Sequence, residues 1–216
     1  MRPFLLPCLA LLAFTACHSE TAMNQEIAAA EKDVENGGRG LARLNPEPHQ
    51  AYEFVLEIAD APGPFAVVKA SAQYDVINEQ ECGRIVPASG RASRITSQED
   101  VNLQKIADNH YRGTVYLDLM QDEDYYGRGA CLWKFSGAGT MLKATGAEGE
   151  TRFLSFIAAD RFIKGDTETR HYADVGYPRE SLDDYPDYGE DAPEGFNPEL
   201  RGSLFSTTLV GKKARP

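Results

Sequence analysis

The stretch HYRGTVYLDLM (residues 110–120) decides the fold class. Tyr111, Gly113, Val115, Leu117 and Leu119 alternate there with Arg112, Thr114, Tyr116 and Asp118. A period of two puts the first set on a buried face and the second toward solvent, which is the pattern of a β-strand. A polar, acidic connector, QDEDYYGRG (121–129), follows. ACLWKF (130–135) then brings Cys131, Trp133 and Phe135 to one face. The Gly-rich SGAGT (136–140) and GAEGE (146–150) read as turns that set off MLKAT (141–145) and TRFLSFIA (151–158). Residues 110–158 therefore predict four antiparallel strands joined by hairpins, with Gly supplying the turn conformations.

The same alternation extends outward. AYEFVLEIAD (51–60) places Tyr52, Phe54, Leu56 and Ile58 on one side and Glu53 and Glu57 on the other. APGP (61–64) breaks it, because proline suits a turn better than a strand interior. FAVVKASAQYDVI (65–77) sets Ala70, Ala72, Tyr74 and Val76 against Lys69, Ser71, Gln73 and Asp75. NEQECGRIVPASG (78–90) reads as a loop or edge carrying Cys82. Residues 91–109 hold a short strand, ASRIT (92–96), and a helical turn or strand, VNLQKIA (101–107). DTETRHYADV (166–175) and GSLFSTTLV (202–210) are further strands, and KKAR (212–215) is a short basic end. About eight short strands with Gly and Pro turns predict a mainly β, single-domain antiparallel sandwich or open barrel.

One helix precedes the strands. In SETAMNQEIAAAEKDVENGG (19–38), Ser19 or Thr21 caps, and Met23, Ile27, Ala30 and Val34 recur at helical spacing. Gly37 and Gly38 end it. The pattern is weakly amphipathic, as for a spacer, and the Pro-bearing NPEPHQ (45–50) links it to the strands.

The first residues, MRPFLLPCLALLAFTAC, have a cationic start at Arg2, a short apolar run and small residues before Cys17. That layout is a secretory signal peptide, too short to span a bilayer permanently. Its ending resembles the bacterial lipobox, in which the Cys is acylated, with Phe14 where that motif carries Leu. The resemblance implies residues 1–16 as signal, residues 17–48 as a lipid-anchored helix and linker, and 49–216 as the sandwich. It also implies membrane attachment through Cys17. His18, where Asp would resemble an inner-membrane retention signal, favours the periplasmic side of the outer membrane. With Cys8 in the signal and Cys17 acylated, Cys82 and Cys131 remain as a pair in an oxidising space, expected as a disulfide.

The chain of 216 residues has a formal charge of −11. Losing residues 1–16 removes one arginine and no carboxylate, which makes the mature chain more acidic by one charge. Such a surface argues against nucleic acid and anionic lipid, and favours cationic partners. The four histidines, His18, His49, His110 and His171, form no metal-ligand pair. No Gly-x-Ser-x-Gly elbow and no phosphate loop is present. Ser155 and His171 with an Asp are the thin case for a periplasmic hydrolase. Asp122 and Asp124 fit the first and third positions of a calcium loop, but Tyr126 and Trp133 fail the later ones. No catalytic residue, metal or cofactor is assigned.

Two segments mix carboxylates with aromatics. The first holds Tyr125 and Tyr126. The second, GYPRESLDDYPDYGEDAPEGFNPEL (176–200), lacks any period and carries Tyr177, Asp183, Asp184, Tyr185, Asp187, Tyr188, Glu190 and Asp191, together with Glu180. Long aperiodic loops in compact domains are often functional. Tyrosine offers large contact area at low entropic cost, and carboxylates beside it steer basic partners. These residues are the expected surface for a basic protein. YGRGACLWKF with LKATG and ETRF (126–153) resembles small periplasmic lipoproteins of bacterial toxin–immunity loci. The resemblance implies a β-sandwich immunity protein that blocks a secreted, envelope-attacking toxin. The alternative is an envelope scaffold or binding lipoprotein without a toxin partner.

Overall fold

The computed structural model describes residues 16–35, 39–179 and 182–214. The expected signal peptide lies, through residue 15, outside the described residues, as do Gly37, Gly38 and Glu180. The chain forms two compact units, Met1–Ala42 and Arg43–Pro216. In the first, the expected helix is present as α1 (Ala16–Glu35). Ile27 is its buried apolar side chain, while Val34 is exposed, as befits weak amphipathicity.

The second unit holds β1 (Ala51–Ala59), β2 (Val67–Val76), α2 (Glu79–Cys82), β3 (Ile85–Val86) and β4 (Arg91–Ala92). Next come β5 (Thr96–Val101), β6 (Gln104–Ala107), β7 (His110–Tyr116), β8 (Trp133–Lys143) and β9 (Arg152–Ala158). The chain continues through α3 (Ala159–Lys164), β10 (Thr167–Ala173), β11 (Pro186–Asp187) and β12 (Leu204–Lys213). One sheet runs β10-β12-β1-β7-β6 and the other β11-β9-β8-β2-β5. Their packed inner faces make the mainly β sandwich, antiparallel except where β11 joins β9.

The core follows the alternation. Phe54, Leu56, Tyr74, Phe135, Phe153, Tyr172, Phe205 and Leu209 are buried, and burying one such side chain contributes about 1.5–3 kcal/mol. Two tyrosines brace the sheets reciprocally. Tyr74 of β2 donates its hydroxyl to Tyr116 O at 2.6 Å. Tyr172 of β10 donates to Leu154 O on β9 at 2.8 Å. Burial pushes the Tyr172 phenol up to about 12. It pushes Tyr74 up as well, aided by the charges of Glu99 and Asp118.

Several sequence expectations are corrected. The strand within residues 110–120 ends at Tyr116, and just beyond it the Asp118 carboxylate accepts the amides of His49 and Gln50, both at 2.9 Å. The two strands flanking the acidic connector are no hairpin: β7 belongs to one sheet and β8 to the other. SGAGT is not a turn but lies within β8. A Cβ on Gly137 would come within 2.3 Å of Phe156 Cζ, and one on Gly139 within 2.7 Å of Ser155 O. The glycines let the Phe156 ring lie against the strand. Helix α3 carries too few residues to show a period, yet its Phe162 is buried against Tyr52, Phe54 and Phe135. The linker before β1 is held on the sandwich. Asn45 N donates to Leu119 O at 2.7 Å, and Gln121 N to Arg43 O at 2.9 Å.

Candidate partner-binding surface

The acidic connector crosses from β7 to β8 and is folded on itself. Asp122 Oδ1 accepts the Trp133 amide at 2.8 Å, and Asp124 Oδ1 accepts Arg128 N at 3.0 Å. Slight desolvation raises the Asp124 carboxyl, but the amides of Gly129, Arg128, Gly127 and Tyr126 outweigh it and hold it below the usual range. These carboxylate oxygens accept backbone amides. Cys131 and Cys82 form the expected disulfide, 49 residues apart in sequence. Asn78 on the α2 side accepts Leu132 N at 2.8 Å and donates to Ala130 O at 2.9 Å. Arg128 donates to Gly83 O and Gln80 O.

Tyr125 does not face a partner. It is 9% exposed, its hydroxyl donates to Gln121 O, and Arg43 N donates to that hydroxyl at 3.4 Å. Tyr126 is half-buried. Tyr125 is a plug under the crossover, since a buried phenol needs an internal acceptor and here finds one.

Residues 182–191 of the second acidic segment run as a strap along the edges of the two sheets. Arg152 N of β9 donates to Tyr185 O at 2.8 Å, and β11 pairs with β9, Pro186 opposite Arg152 and Asp187 opposite Phe153. Proline is tolerated at such an edge. Glu190 and His171 of β10 then exchange two backbone hydrogen bonds of 2.9 Å. The strap thereby joins an edge of each sheet, which shields both from further strand pairing.

Three of its carboxylates meet arginines. Asp183 pairs with Arg179. Asp184 pairs with Arg152 at 3.0 Å, and Asp191 with Arg170 at 2.6 Å. Arg170 and Arg161 also hold the buried Glu168. Asp187 Oδ1 accepts the Gly189 amide at 2.8 Å, and the exposed Glu190 side chain sits beneath Gly195. The carboxylate concentration read from sequence is thus partly balanced by basic residues from β9, β10 and the strap itself.

The tyrosines divide. Tyr177 is half-buried, packed edge-on against Phe65 at 5.4 Å with its hydroxyl donating to Pro64 O. Tyr185 lies at the margin of exposure, and Tyr188 is 66% exposed. Leu182, 63% exposed, is a further outward group that the sequence reading missed, since one leucine in an aperiodic segment carries no signal. Tyr188 lies between Asp187, whose carboxylate accepts the Gly189 amide, and Glu190, which bridges to His171.

The thin hydrolase case has no assembled trio. Ser155 Oγ is buried against Thr140 Oγ1 at 2.6 Å, whereas His171 alternates with the buried Tyr172 and points to the opposite side of β10. Among the described residues no three His, Cys, Asp or Glu side chains gather around a common point. No helix among the described residues is long and apolar enough to cross a membrane. Searches against protein families, curated proteins and solved structures find no match for the chain.

Proposed function

We propose that the chain is a lipid-anchored periplasmic binding protein that neutralises a basic, envelope-attacking toxin, with the strap at residues 182–191 as its contact surface. The observation that carries this reading is Tyr188. Its backbone is fixed on both sides, and most of its ring is open. A tyrosine has few rotatable bonds and sits here on a hydrogen-bonded backbone, so it loses little entropy on binding and suits a contact anchor. The exposed acids around it form a rim complementary to cations. The Cys82–Cys131 bridge suits an oxidising compartment, and Cys17, following small residues, suits acylation.

Cells lacking the protein should be killed by kin that retain it and their secretion apparatus, and restoring the chain should restore survival. Equal survival with and without the chain would contradict the toxin reading. The arginine pairs on the strap favour a second reading, an envelope scaffold or binding lipoprotein without a toxin partner. Under that reading, loss of the chain perturbs the envelope in the absence of attackers.

A further inference from the structure

The chain is acidic as a whole, yet one concavity of about 660 Å³ runs against that balance. It spans β1, β7 and β12 and is lined by Arg112, Lys212 and Lys213, with Glu53 as the single carboxylate of the lining; Lys212 stands on the outer side with Glu53, and Lys213, opposite Tyr52, lies at the exposed strand end. Strand register builds it, since Glu53 stands opposite Lys212 on β12 and Thr114 on β7. Arg112 Nε donates to Glu53 Oε2 at 2.9 Å. Glu53 therefore orients the guanidinium while leaving the groove net cationic. Both lysines are exposed, and neither meets a carboxylate among the described residues.

Position adds a second constraint. Ala214 N donates to Ala51 O at 3.1 Å. The groove wall is therefore bonded to the first residue of β1, where the segment from Arg43 enters the sheet. The strap lies toward the other end. His171, which bridges Glu190, stands opposite Ser206, and from Ser206 to Lys212 along β12 is about 20 Å at the rise of a strand.

We propose that this groove is the face by which the sandwich rests on a membrane carrying anionic phospholipid headgroups. Arg112 and Lys212 take the phosphate oxygens, Lys213 adds charge at the strand end beside them, and Thr114 supplies a hydroxyl. A guanidinium matches phosphate geometry and lysines act as mobile point charges. Three cations do not recruit an acidic protein from solution. A tether that holds the chain at the surface makes the contact effectively intramolecular, so a weak attraction becomes an orientation. With a screening length of about 8 Å at physiological salt, distant carboxylates are muted and the local patch prevails. The strap then points away from the bilayer, toward an arriving partner. This inference rests on the anchored reading above.

The test separates the two. The full mature chain with Cys17→Ser carries an N-terminal histidine tag and is held on nickel-chelating lipid, so that attachment is independent of acylation. Lysine acetylation is read by mass spectrometry on phosphatidylcholine vesicles with and without phosphatidylglycerol. Labelling of Lys212 and Lys213 should fall several-fold with phosphatidylglycerol, while Lys69 on the other sheet stays unchanged. Arg112→Gln or high salt should restore it. Equal labelling on both vesicles, or equal protection of Lys69, would overturn the proposal. Protection by soluble glycerol phosphate with none on vesicles would assign the groove to a small anion and overturn the membrane face. An unacylated Cys17 in native protein would overturn the anchor alone and leave the footprint standing.

Discussion

The two tyrosine- and acid-rich segments have similar composition and opposite fates. In residues 121–131 Asp122 and Asp124 accept backbone amides, Glu123 meets Arg43, Tyr125 is buried, and the disulfide fixes the end. In residues 182–191 the carboxylates turn sideways to arginines of the strands and strap, and Tyr188 turns outward. The first segment crosses between sheets, and Tyr125 and Cys131 are its buried side chains. The second lies along sheet edges, where backbone pairing holds it and side chains stay free. Topology, rather than composition, decides whether such a segment is a plug or a surface.

The largest effect should come from freeing the first segment. Replacing Cys82 and Cys131 together by serine should cost about 3–4 kcal/mol on the chain-entropy estimate for a loop of this length, read as a lower urea midpoint. An unchanged midpoint would show that the crossover is held without the bridge.

Tyr125→Ala should cost about 2–4 kcal/mol, as a buried large-to-small change does, whereas Tyr188→Ala should stay within about 0.5 kcal/mol of the parent. Thermal unfolding of the two variants side by side checks the contrast. Equal losses would erase the distinction between plug and surface.

Acid sharpens the comparison further. The Asp124 carboxyl is held below its ordinary value of 3.8 by backbone amides. A depressed folded pKa contributes stability above the unfolded value, and that contribution is lost as pH falls through the folded value. Asp124→Asn should therefore make stability less dependent on pH below about 4. Unfolding midpoints measured between neutral and acidic pH would show it, and an unaltered acid limb would count against the amide cradle.

The smallest stability effect belongs to the strap pairs. Asp183→Asn and Asp184→Asn should each change stability by about 0–1 kcal/mol, the range for exposed ion pairs. Their removal should instead slow association with a basic partner, more at low salt than at high.

Much of the fold was legible because half-buried strands alternate. β1, β2 and β12 carry their inner residues at every second position. Pairing was less legible. Proximity in sequence suggested a β7–β8 hairpin, but the connector changes sheets. Glycines at 137 and 139 resemble a turn in sequence, and the close approach of the Phe156 ring and the β9 backbone explains them. In the candidate site, the tyrosines and acids were visible as types. Their directions were not, because each depends on a partner set by the fold: Gln121 for Tyr125, Pro64 for Tyr177, Arg152 for Asp184 and Arg170 for Asp191.

The central claim, that Tyr188 on the strap is the partner contact, is tested most directly by survival. Cells lacking the chain are supplied with Tyr188→Ala or Tyr125→Phe at matched periplasmic amounts and challenged by toxin-delivering kin. A contact anchor contributes about 2 kcal/mol or more, roughly a 30-fold faster release. The expected result is lost protection with Tyr188→Ala, a folded protein, and retained protection with Tyr125→Phe. Full protection by Tyr188→Ala would contradict the account.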